Sequence, residues 1–119
     1  MEIGEAQQRV ASFAAERGWD RNLPTQRVAH LVREVGRMGE HTMFAEGMTT
    51  KEPAHDMEKQ VGDIMFSLIQ LANCMDVDVE GALTKAMEAD RAKYPPEEAR
   101  QNSIEALKRG SARFRLNPY

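Results

Sequence analysis

Two stretches decide how this chain folds: Leu31-Val32-Arg33-Glu34-Val35-Gly36-Arg37-Met38 and Gln60-Val61-Gly62-Asp63-Ile64-Met65-Phe66. Each sets polar or ionisable groups at helical spacing inside an otherwise apolar run. At ~100° per residue, His30, Glu34, Arg37 and His41 fall on one narrow stripe of a helix, and Asp56, Gln60, Asp63, Ser67 and Gln70 on one stripe of a second. Two such stripes on neighbouring helices would face each other across a bundle, and a polar seam inside a bundle is a common place for a metal or ligand site. The rest of the chain reads as scaffolding for that seam.

With 119 residues, 41% of them hydrophobic and 29% charged, the chain is sized and composed for one soluble globular domain rather than two. The longest apolar run, Val61 to Met75, is broken by Gly62, Asp63, Ser67, Gln70 and Asn73, so no membrane span is expected. The start, Met1-Glu2-Ile3-Gly4-Glu5, lacks the apolar block of a signal peptide. The single Cys74 leaves no intramolecular disulfide and fits a reducing compartment, so a cytoplasmic protein is expected. The net charge of −3 hides an asymmetry: residues 91–119 carry seven Lys or Arg against three Asp or Glu. Arg109, Arg113 and Arg115 read as a solvated tail that balances an acidic body, with contact to the phosphates of a nucleotide or nucleic acid as the alternative. Too few aromatics accompany them for a base-stacking platform, and no nucleic-acid partner is expected.

Along the chain, Ala6, Val10, Phe13 and Ala14 predict a first helix over 4–17, ended by Gly18. Trp19 follows at once and reads as a lid on the core or a wall for a nucleobase. Thr25 is a candidate cap for a second helix from Gln26 to Ala45. A third, from about Pro53 to Met75 with Thr49 or Thr50 as cap, is the most apolar, and Met57, Val61, Ile64, Met65 and Leu68 predict its burial. Gly62 within it, opposite Gly36 on the second helix, predicts a close helix approach. Asp78 caps a fourth helix from Val79 to Arg91, which Tyr94-Pro95-Pro96 stops. A short helix to Leu107 and a tail without periodicity complete the chain. The expected fold is all-α: a four-helix bundle over 1–95, then a C-terminal helix and basic tail over 96–119 packed on the bundle or on a partner subunit.

An E-x-x-E or E-x-x-D pair on each seam helix would make an oxygen-rich cage for Mg²⁺ or Mn²⁺, and such ions orient triphosphates and activate water. Here Glu34 and Asp63 stand alone, with Arg37 and Gln60 in place of their helical partners. His30 and His41 lie ~16 Å apart along a helix, too far to share one ion, and read as surface or hydrogen-bonded residues. Cys74 and the eight methionines read as packing.

The order of motifs resembles the MazG-like, all-α nucleoside triphosphate pyrophosphohydrolases. It comprises Gly18-Trp19, a Leu-x-x-Glu-Val-Gly run, Val61-Gly62-Asp63-Ile64-x-Phe66, a Val-Asp-Val-Glu-x-Ala-Leu-x-Lys block ending at Lys85, and Lys93-Tyr94-Pro95. The resemblance covers ~7–95 and implies a dimer or tetramer that cleaves nucleoside triphosphates to monophosphate and pyrophosphate with Mg²⁺. The family's E-E-x-x-E reads Arg33-Glu34-Val35-Gly36-Arg37 here, and its E-x-x-D reads Gln60-Val61-Gly62-Asp63. By the resemblance the metal ligands sit at 34, 37, 60 and 63, so only Glu34 and Asp63 survive as catalytic or metal-binding acids. Lys85 and Lys93 match phosphate-touching positions, and Asp90 stands where asparagine is usual.

Arg37 then reads as a surrogate cation pairing with both Glu34 and Asp63 in a metal-free core. Three function classes follow. A silent relative would bind a nucleotide through Arg33, Arg37, Lys85, Lys93 and Trp19. A hydrolase would use Mg²⁺ through displaced ligands such as Glu40, Asp56 or Glu58. A non-catalytic interaction module is the third.

Overall fold

The computed structural model describes residues 1–115, with side chains to residue 110. Five α-helices and one 3-10 turn make up the described residues, and no strand occurs among them: α1 Ile3–Glu16, the turn Trp19–Arg21, α2 Pro24–Ala45, α3 Met57–Cys74, α4 Val79–Lys93 and α5 Pro96–Arg115. The all-α expectation is met. No described helix is long and apolar enough to cross a membrane. The chain divides into two compact units, Met1–Ala82 and Leu83 onward.

In the first unit α2 and α3 form the most extensive packing, α1 lies on α3, and the 3-10 turn lies on α1. Gly18 takes φ 74°, the left-handed conformation that reverses the chain out of α1 and swings Trp19 back onto the helix it has just left. The Trp19 ring stands 5.9 Å from Phe13 and 6.4 Å from Phe66, and the latter two rings meet edge to face at 5.6 Å. Gln7 ties α1 to the start of α4: its amide donates to the Val77 carbonyl (2.6 Å) and its Oε1 accepts from the Val79 N–H (3.0 Å).

Several helix ends differ from those expected. Pro24 rather than Gln26 opens α2, so Leu23 holds the cap position and Thr25, the expected cap, lies inside the first turn; Gln26 turns back to accept the Leu23 N–H at 2.8 Å. Likewise α3 begins at Met57, not Pro53, because Asp56 caps it by accepting the Lys59 N–H at 2.9 Å. Thr49 only closes a local turn with the Lys51 N–H. Asp78 does cap α4, through the Gly81 N–H at 3.2 Å.

The largest departure concerns burial. Buried positions on α2 are Arg27, Glu34 and His41, seven residues apart each time; on α3 they are Gln60, Ser67, Ile69, Gln70 and Ala72. The pairs Glu34–Gln60 and His41–His55 order the two helices antiparallel. The interior between them is therefore polar. The apolar residues expected inside, Val61, Met65 and Leu68, are exposed, as are Val28, Val32 and Val35, with Val32 64% and Met65 55% accessible. Each trio lies ~105° round its helix from the seam, and in an antiparallel pair equal offsets fall on the same side. The six side chains thus share one uncovered apolar face. Gly36 and Gly62 point away from the seam, and a Cβ at either would meet nothing within 4 Å, so neither marks a close helix contact.

In the second unit α4 stops at Lys93 before Pro95-Pro96, and α5 starts with Pro96 as its first residue. It continues to Arg115, eight residues beyond the expected Leu107 end, because nothing from Lys108 to Arg115 breaks a helix except Gly110, whose cost is about 1 kcal/mol. Side chains described in this unit are exposed apart from half-buried Ala99 and Gly110. The expected loose tail at 116–119 lies outside the described residues.

Candidate functional site

Because α2 and α3 run antiparallel with buried positions seven residues apart, the seam is built in layers about two turns apart. The middle layer holds Glu34, 4% exposed, and Gln60, fully buried. Gln60 Nε2 donates to Glu34 Oε2 at 3.0 Å and to the Glu34 backbone carbonyl at 2.9 Å. Arg37 Nη1, one turn further along α2, pairs with Glu34 Oε1 at 3.0 Å. Both oxygens of this carboxylate are therefore engaged by hydrogen-bond donors. On its other side, Gln60 Oε1 lies 2.7 Å from His55 Nε2. That ring stands 5.6 Å from the ring of buried His41, which makes the second layer.

Asp63 does not join this set. It sits on the Lys59 ammonium at 2.9 and 3.2 Å, with His55 Nε2 3.8 Å away. The expected Arg37–Asp63 pair is absent among the described residues because each acid already has a nearer cation: Glu34 takes Arg37 from i+3, and Asp63 takes Lys59 from i−4. Of the displaced ligands considered, Asp56 is spent on capping α3, and Glu40 and Glu58 are exposed. Among the described residues no three of His, Cys, Asp and Glu lie close enough together to hold a metal.

The third layer contains Arg27 on α2 and Ser67 and Gln70 on α3, all buried. It forms the floor of a cleft of about 360 Å³ walled by Trp19, Phe66 and His30. Trp19, 43% exposed, is thus both a lid on Phe13 and Phe66 and one side of an open cleft. His30 is exposed at the cleft wall, and Arg33 is exposed without an ion pair among the described residues. Lys85, Asp90 and Lys93 lie on α4 in the second unit, exposed, with Lys93 Nζ 5.4 Å from the Tyr94 ring. Cys74 is half-buried.

Two residues of the seam escape a reading by stripes. Arg27 belongs to it through the seven-residue spacing Arg27–Glu34–His41, a signal present in the sequence once the stripe is extended one turn towards Pro24. His55 precedes α3 in a loop, where no periodicity marks it.

This chain is 31% identical to human dCTP pyrophosphatase 1 over 101 residues, covering 78% of this chain and 59% of that protein. It is 30% identical to rat dCTP pyrophosphatase 1 over 93 residues, 71% of this chain and 54% of the relative. Against the uncharacterized protein YpjD of Bacillus subtilis it is 31% identical over 67 residues, 54% and 60% of the two chains. The chain thus spans a little over half the length of the curated relatives it matches. No family profile and no solved structure matches it. An all-α chain with motifs in this order and these sequence identities is a distant homologue of the dCTP pyrophosphatases and of YpjD.

Proposed function

We propose that this chain is a MazG-like relative of the nucleotide pyrophosphohydrolases that binds a nucleotide or similar phosphorylated small molecule without hydrolysing it, and acts as at least a dimer in the cytoplasm. The observation that carries this reading is the occupation of both Glu34 carboxylate oxygens by the Arg37 guanidinium and the Gln60 amide. Mg²⁺ would supply charge neutralisation of the phosphates and an activated water, and it requires several oxygens arranged around it. The residues here do not fit that need. Two of the four places hold nitrogen donors, and a divalent cation beside the Arg37 guanidinium would meet a repulsion of several kcal/mol at an effective dielectric of ~20. Arg37 supplies the counter-charge within the fold, which leaves the exposed Arg33 and the free side of Arg37 for phosphate oxygens and Trp19 for an aromatic base.

The dimer rests on the uncovered face of Val28, Val32, Val35, Val61, Met65 and Leu68. Contiguous apolar surface of this kind marks an interaction site, and a second copy would cover it with the same stripes.

The test is pyrophosphate release from the common ribo- and deoxynucleoside triphosphates with Mg²⁺ and Mn²⁺, for the native chain and for an Arg37→Glu, Gln60→Glu double variant. The expected result is a silent native chain and metal-dependent turnover in the variant. Metal-dependent turnover by the native chain, whatever the rate of the variant, would overturn the proposal.

A further inference from the structure

Arg27 is the buried charged group of the seam that has no ion-pair partner among the described residues. It is 6% exposed, its Nε is shielded from solvent with no hydrogen-bond partner, and its guanidinium makes no ion pair or side-chain hydrogen bond among the described residues. An arginine does not shed its charge on burial as a lysine does. A buried charge without a counter-charge is strongly unfavourable, so something must offset it. The same helix shows the alternative two turns on, where the equally buried Glu34 has two side-chain partners.

Ser67 and Gln70 share this condition. They are 5% and 8% exposed, and neither side chain makes a hydrogen bond among the described residues, yet neither has a polar atom sealed away from solvent, so both open into the cleft. Three buried polar side chains without protein partners therefore line one space. No carboxylate lines it. Asp20 lines the adjoining cleft of about 310 Å³ on the other side of Arg27, outside ion-pairing distance.

We propose that the Trp19 cleft is an oxyanion-binding site in which the Arg27 guanidinium pairs with a phosphate or carboxylate group of a small molecule. Arginine's forked donors match the paired oxygens of either group. The Ser67 hydroxyl and the Gln70 amide supply further donors on the floor. Trp19 and Phe66 offer the apolar wall that a small ligand's body needs, and about 360 Å³ lies at the lower end of the range for small-molecule sites. A neutral base edge would satisfy the hydrogen bonds but leave the charge unbalanced, which is why an anion is preferred. This inference does not rest on the nucleotide reading.

Trp19 is the only tryptophan of the chain and stands at the cleft, so its emission reports occupancy directly. Inorganic phosphate is titrated into the full chain at ionic strength held constant with chloride, and the heat of binding is followed in parallel. The expected result is a saturable response whose midpoint rises about tenfold or more in Arg27→Gln, the loss that fits one charged hydrogen-bonded contact. Gln70→Leu keeps Arg27 in place and is expected to weaken binding severalfold, which preserves the test should Arg27→Gln fail to fold. Absence of saturation in the native chain by both readouts, or unchanged midpoints in the variants, would overturn the proposal. So would a double-mutant cycle that couples Asp20 to Arg27 in stability by about tenfold or more, since Asp20 would then be the partner. Acetate and nucleoside monophosphates form the remaining arms. Nucleotide binding that ignores Arg27→Gln defeats this inference and leaves the nucleotide reading intact; phosphate or acetate binding through Arg27 without nucleotide binding does the reverse.

Discussion

Replacing Gln60 by leucine removes the hinge of the buried network at nearly constant volume. Gln60 is fully buried and makes three contacts: donation to the Glu34 carboxylate at 3.0 Å, donation to the Glu34 carbonyl at 2.9 Å, and the 2.7 Å contact with His55. A hydrogen bond to a charged group contributes about 1.5–3 kcal/mol and a neutral one about 1 kcal/mol. The Glu34 carbonyl keeps a helical partner and His55 is half-buried, so these two add little more than about 1 kcal/mol together. Leucine returns part of this through apolar burial. The expected net loss is about 3 kcal/mol, mostly from leaving one oxygen of a 4%-exposed carboxylate without its donor. Denaturant titration followed by Trp19 emission and circular dichroism measures it, at fixed protomer concentration because an associating chain gains stability by mass action. A Glu34→Leu, Gln60→Leu double variant removes both partners and is expected to recover at least half of the loss. A cost below about 1 kcal/mol for Gln60→Leu, or a double variant worse than the sum of its singles, would refute the network as the organiser of the α2–α3 packing.

Three further outcomes are expected. If the proposed dimer forms through the uncovered apolar face, Val32→Glu should lower the mass measured by light scattering from dimer to monomer without loss of helicity; a native chain that is already monomeric, or an unchanged mass in the variant, would remove this face as a dimer interface. Asp56→Ala should cost about 1 kcal/mol in thermal or denaturant unfolding through loss of the α3 cap, and Asp56→Asn much less; equal costs would assign the effect to charge rather than capping. Lys59→Met should change stability by less than about 1 kcal/mol, since the Lys59–Asp63 pair is exposed at the lysine; a larger loss would mean that Asp63 is held in a more enclosed setting.

Boundaries dictated by backbone chemistry were legible in the chain itself. Gly18 ends the first helix region and Pro95-Pro96 the fourth, because a left-handed turn and a missing N–H act locally. The polar stripes were legible too, and they bring Glu34 against Gln60. What the stripes do not reveal is which side of each helix finds a neighbour. Val61, Met65 and Leu68 have the composition of a core, but the hydrophobic pattern records only that a surface seeks cover, and nothing in it says whether the cover comes from the same chain. Partner choice among charges was equally hidden. Asp63 had two cations within reach, and Lys59 holds it because an i,i+4 pair on one helix needs no tertiary alignment. His55 was invisible because a loop residue enters the seam through chain reversal rather than periodicity. Arg27 is marked by its spacing alone, a weak signal because arginines near a helix start usually stay solvated.

The spacing of polar groups in the seam also fixes how α2 and α3 can slide past one another. In the observed alignment Glu34 faces Gln60. Shifted by one turn in one direction, Glu34 would face Asp56, carboxylate against carboxylate; shifted the other way, it would face Ile64, with no donor at all. Either displacement strands a buried charge at a cost of several kcal/mol, whereas a leucine seam would tolerate the shift far better. The hairpin of these two helices therefore has one alignment that keeps the buried Glu34 carboxylate on the Gln60 amide, and the valines and methionine on its outer side inherit their positions from that pairing.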